Sequence, residues 1–178
     1  MQLNFAILSL ALVASAMAFP MAENEANGMF EEEGRQVMSL FNKLSPATKE
    51  AIGVIHNNTE LTRAAEESAV NDLFAGSTVN AEDKTAYDTI KSIALSKEAE
   101  FTAAIDKAVA DSSLTETQKA LYKACKDIYQ NKTLTIKQTK EELEAVAAAA
   151  DKVNVEDRKA VEQLIKETVQ AQLKATSA

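Results

Sequence analysis

Asp111-Ser112-Ser113-Leu114-Thr115-Glu116-Thr117-Gln118 and Asn131-Lys132-Thr133-Leu134-Thr135-Ile136-Lys137-Gln138 are near-copies of one phrase. In each, a Thr is followed three residues later by Gln, which is the spacing of a capping box. The hydroxyl accepts from the N3 amide and the Gln side chain reaches back to the N-cap amide. A looser copy, Asn58-Thr59-Glu60-Leu61-Thr62, has Ala65 where the Gln would stand. The phrases predict helix starts, so the chain reads as a series of capped helices.

Composition agrees with that reading. Two prolines and four glycines in 178 residues leave helices few breakers, and abundant Ala, Glu and Lys favour helix. No segment alternates apolar and polar residues long enough to predict a strand. The fold class expected is all-α: one compact bundle of about six to seven helices around one long central helix. Four divisions follow. Residues 1–18 read as a signal peptide, with an apolar run from Phe5 to Val13 and the small-x-small site Ala16-Met17-Ala18. Residues 19–34 read as an acidic flexible leader, residues 35–175 as the helical domain and residues 176–178 as a frayed tail. A membrane anchor would need roughly 20 apolar residues, and the run ends at Phe19-Pro20. The expected location is therefore extracellular.

The formal charge of −8 argues against nucleic acid and against anionic membrane as partners. Cys125 is the one cysteine, so no internal disulfide supports the core. A buried thiol in a monomer is the leading expectation, and a Cys125-linked dimer is the alternative.

Along the chain, Val37, Leu40, Phe41 and Leu44 form one helical stripe. Ser45-Pro46 ends that helix and caps the next, which carries Ala51, Ile52 and Ile55. Thr62 starts a third helix, stopped by Gly76 in a left-handed conformation. Asn80 caps the longest, about Ala81 to Ala110 and about 45 Å at 1.5 Å per residue, with Tyr87, Ile90, Ala94, Phe101, Ile105 and Val109 as its seam. Thr115 caps a fifth helix, Thr135 a sixth ending near Ala150, and Asn154 a last one carrying Val161, Leu164, Ile165, Thr168, Val169 and Leu173. The sequons at Asn57 and Asn131 fall in predicted loops, where a glycan is accommodated.

Chemistry is sparse. His56 is the only histidine, and at a helix end it complements the dipole. The neighbours Glu66-Glu67 and Glu141-Glu142 diverge on a helix and share no substrate. No nucleophile motif, phosphate loop or Cys-x-x-Cys stands out, so no catalytic residues and no cofactor are expected. Asn131, Thr133, Thr135 and Glu142 occupy positions 1, 3, 5 and 12 of an EF-hand-like loop. Three of the four are neutral, and Ile136 stands where Gly makes the turn. Phe41, Phe74, Tyr87, Ile90, Phe101 and Ile105 are spaced to line a cavity for a small hydrophobic ligand, or equally to fill it as core.

Phe41-Asn42-Lys43-Leu44-Ser45-Pro46-Ala47-Thr48-Lys49, together with the repeated Leu-Thr helix starts at Leu61, Leu114 and Leu134, resembles the SXP/RAL family of nematode secreted proteins, which includes parasite antigens and allergens. The resemblance spans roughly Phe41 to Gln170. Members often carry a tryptophan soon after the first Leu-Thr phrase, and this chain has none. The resemblance implies a secreted helical protein of unestablished biochemical activity, with no catalytic residues to carry over. The nematode fatty-acid and retinol-binding proteins are the second resemblance. The resulting expectation is a secreted, non-enzymatic, antigen-type binding protein whose partner is an unknown extracellular protein or small hydrophobic ligand. A carrier of fatty acid or retinoid is the alternative, and a divalent-cation binder the third.

Overall fold

The structure is a computed structural model that describes residues 31–176. The expected signal peptide, most of the leader and the last two residues of the expected tail lie outside the described residues. The order is α1 (Glu31–Lys43), α2 (Pro46–His56), α3 (Arg63–Ala75), α4 (Ala81–Asp111), α5 (Glu116–Gln130) and α6 (Ile136–Thr176). α6 is broken at Asn154, whose backbone is extended at φ −161° and ψ 107°. Among the described residues the chain is an all-α bundle, and no helix there is long and apolar enough to cross a membrane.

All six expected caps form. Ser45, Thr62, Thr115 and Thr135 accept from the backbone amide three residues on, and Asn80 does so from Asp83 at 2.8 Å. Asn154 accepts from the Glu156 amide at 3.2 Å. The Gln118 and Gln138 side chains return the bond to Thr115 and Thr135, each at 2.9 Å, which completes both capping boxes.

Three local expectations are corrected. Residues 31–34 of the expected leader lie in α1. The sixth helix runs past Ala150 to Asn154, because no breaker intervenes. Gly76 ends α3 without left-handed geometry: it is extended at φ −64° and ψ 160°, and its amide donates to Asp72 and Leu73.

The 31-residue α4 is the axis of the bundle. α1, α3 and α6 pack along it, α5 packs on α6, and α2 packs on α3. Two apolar clusters result. The larger joins Val37, Ile90, Phe101, Ile105, Val109, Tyr122, Cys125, Tyr129, Val161, Ile165 and Val169. The smaller joins Leu44, Ile52, Val70, Phe74 and Val79. Burying such side chains stabilises by about 1.5–3 kcal/mol each. Phe41 packs against both clusters, at the seam between them.

Candidate functional site

Two helix–loop–helix units face each other across that seam: α2–α3, joined by residues 57–62, and α5–α6, joined by residues 131–135. The loops adopt the same turn. Asn58 Oδ1 accepts from the Glu60 amide and the Asn58 carbonyl from the Leu61 amide, both at 3.2 Å. Asn131 repeats this with Thr133 at 3.1 Å and Leu134 at 3.3 Å. So the looser sequence copy at Asn58, rather than the closer one at Asp111, is the structural twin of the Asn131 loop.

The twins pair through an antiparallel bridge between Thr62 and Thr135. The Arg63 and Ala64 amides, at the start of α3, donate to the Leu134 and Lys132 carbonyls at 2.9 Å each. The first amides of a helix lack intrahelical partners, and here the opposite loop supplies them. Side chains cross the same joint in both directions. Arg63 donates to the Tyr129 carbonyl, and its Cζ lies 4.7 Å from the Tyr129 ring centroid. Lys132 Nζ reaches Glu67 at 2.8 Å. On the α2–α3 side, His56 Nδ1 and Glu66 Oε1 are 2.9 Å apart. Arg63, Glu66, Glu67 and Lys132 carry no local signal of this role, because their partners lie on distant segments.

The loop residues expected as cation ligands are not arranged as a calcium loop requires. Asn131 Oδ1 accepts from both the amide and the hydroxyl of Thr133, the latter at 2.6 Å, and Thr135 Oγ1 is the helix cap. Glu142 is exposed on α6. A frame set by the helices, with position 12 in the first turn of α6, fares no better. It places Asp127 first, where Lys123 holds it at 2.5 Å, and Gln138 last, where its Oε1 is spent on the cap. The twin loop offers Val54 and Ala65 at those positions. A calcium loop needs several carboxylates including a bidentate Glu. Among the described residues no three His, Cys, Asp or Glu are grouped to hold a metal ion.

Beneath the joint lies a cleft of about 200 Å³. Phe41, Leu44, Ile52, Val70, Tyr87 and Ile90 form its apolar wall, and Leu95, half-exposed, stands among the lining residues with Arg63, Lys132 and Glu98. Of the six residues expected to line a cavity, Phe41, Tyr87 and Ile90 do so. Phe74 sits one layer behind, stacked on Tyr87 with ring centroids 3.9 Å apart. Phe101 and Ile105 fill the larger core, at 5% and 1% exposure, because the face of α4 turns from cleft to core along its length. Burial raises the Tyr87 hydroxyl pKa, as do the Glu67 and Asp88 charges. Burial likewise pushes Tyr129 up to about 12, reinforced by Glu98 and partly offset by Arg63. Both phenols stay neutral. The sequon residues Asn57 and Asn131 are exposed in their loops, and Cys125 is buried at 3% exposure.

No curated protein and no solved structure is significantly similar to the chain. One family model matches residues 1–170, described as SXP/RAL-2 family protein Ani s 5-like, metal-binding domain. That match embraces the Leu-Ser-Pro start of α2, both loops of the joint and the cleft between them, and the chain belongs to the SXP/RAL-2 family.

Proposed function

We propose that this chain is a secreted, non-enzymatic binding protein that takes a small apolar molecule, or the apolar end of a longer one, into the cleft beneath the paired loops. The supporting observation is the cleft itself: an apolar wall drawn from both core clusters, with charged side chains from both helix–loop–helix units among its lining. Its size narrows the ligand. Pockets that enclose a drug-sized ligand run about 300–1,000 Å³, so about 200 Å³ favours a ring or a short alkyl segment over a fully enclosed fatty acid or retinoid. A metal-binding role, named in the family's description, has no support from the donors of the two loops.

Native mass spectrometry of protein recovered from its own tissue tests the reading. The expected result is a chain beginning at Phe19 that carries an apolar adduct removable by organic solvent. In parallel, a neutral naphthylamine fluorophore should bind saturably, and Leu95→Glu should weaken it at least about fivefold, since burying an apolar side chain is worth more than 1 kcal/mol. Leu95 is 50% exposed, so the fold should tolerate the change. A chain that retains residues 1–18, or a probe that fails to saturate, would sink the proposal.

A further inference from the structure

We infer that Arg63 and Lys132, cations carried by the chain itself, lock the two helix–loop–helix units together where paired calcium loops are held by bound ions, and that the two loops bind no divalent cation. Loops that coordinate calcium converge oxygens on one point and supply net negative charge. These loops supply neither: residues 54–65 carry no net charge, with Glu60 against Arg63, and residues 127–138 carry one net positive charge. The Asn58, Thr62, Asn131 and Thr135 side-chain oxygens all accept hydrogen bonds from their own turns or helix starts. The last-position side chains are Ala65 and Gln138, and Gln138 Oε1 is committed to the Thr135 amide. An arriving ion would have to displace these bonds and would gain no bidentate carboxylate.

The cations that stand at the joint are already in use. In the frame that puts position 12 in the first turn of α6, Lys132 falls where a calcium loop needs Gly, and its ammonium crosses to Glu67 on α3 at 2.8 Å. Arg63 crosses the other way, from the first turn of α3 to the carbonyl and ring of Tyr129 at the end of α5. The exchange is reciprocal, one cation from each unit gripping the other. Between them run the two backbone bonds at 2.9 Å that fix the register of the bridge. Arg63, Glu67, Tyr129 and Lys132 also line the cleft, so the joint sets the geometry of its wall without an ion.

The test is amide-resolved NMR of the chain titrated with MgCl2 and with CaCl2 at constant ionic strength, alongside thermal melts. Constant ionic strength removes the diffuse screening that an acidic protein shows with any salt. The expected result is no saturable shift at residues 58–62 or 131–138 up to roughly 1 mM, the weak end of known calcium sites. A saturable shift confined to those residues would overturn the inference. The lock is tested separately by Lys132→Gln, Glu67→Gln and their double variant, all at half-exposed positions that leave the core intact. Each single change should lower the melting temperature, and the double variant should lose less than the sum. Strict additivity, together with an unchanged melt in Arg63→Ala, would remove the protein-borne cations from the joint. Both readouts leave the apolar-ligand reading of the cleft untouched, because neither measures ligand binding.

Discussion

The Asp83 carboxylate accepts from the Ser45 amide at 3.0 Å, the Ser45 hydroxyl at 2.7 Å and the Thr48 hydroxyl at 2.6 Å. Asp83 stands in the first turn of α4 while Ser45 caps α2, so one buried carboxylate ties two helix starts together. Burial alone would raise its pKa, but the hydrogen bonds from Thr48, Ser45 and Asn80 outweigh it and the pKa is lowered. The sign of the linkage follows. A carboxylate with a folded pKa below its unfolded value near 3.9 stabilises fully above that value, and the contribution is lost as pH falls through the folded pKa. Asp83→Asn should therefore cost about 3 kcal/mol at neutral pH, since charged acceptors are worth roughly 1.5–3 kcal/mol per bond. The gap to the native chain should narrow below about pH 4. Urea unfolding of both chains between pH 7 and pH 2 measures this. A gap that stays constant would mean the group is not ionised in the fold. The sequence shows Asp83 only as an acid in a first turn, because its partners lie 35 and 38 residues away.

At the scale of elements, helix starts were legible and their partners were not. Thr62, Asn80, Thr115 and Thr135 announce caps by residue type, Thr115 and Thr135 also by the Gln three positions on, and local hydrogen bonds carry all of that information. Asn154 likewise marks the break in α6. Thr135→Ala removes the acceptor for the Gln138 amide and should lower stability by about 1 kcal/mol. Chemical denaturation reads that directly, and unchanged stability would show the cap to be redundant with the bridge to Thr62. The pairing of Thr62 with Thr135 has no local cause and so no local signature. The same limit explains the cleft. Phe41, Tyr87 and Ile90 share the helical spacing of Phe101 and Ile105, and periodicity fixes which face is apolar but not whether a neighbour fills the space beside it. Gly76 shows the converse, a residue type that permits a left-handed stop where the chain adopts an extended one.

Across the whole molecule, stability rests on two unequal clusters joined at Phe41, with no disulfide available to reinforce them. Cys125 sits inside the larger cluster, between Tyr122 and Tyr129 on α5 and the Val161–Ile165–Val169 stripe of α6. Burial pushes its thiol up to about 11, and the Glu162 charge adds to the shift, so little thiolate exists near neutral pH. A disulfide between two copies would require both larger clusters to open. Cys125 thereby becomes a reporter of global opening: a thiol reagent reacts with it only in molecules whose core has come apart. Domains of this kind hold together by about 5–15 kcal/mol, so labelling at pH 8 should be at least about 1,000-fold slower in buffer than in 6 M guanidinium chloride. The logarithm of the native rate should rise with Asp83→Asn and with Thr135→Ala in proportion to the stability each removes, if exchange follows the opening equilibrium. Size-exclusion chromatography under non-reducing conditions should show no covalent dimer until the protein has been unfolded. Rapid stoichiometric labelling of the native chain would place the thiol at the surface and reopen the linked dimer as its resting state.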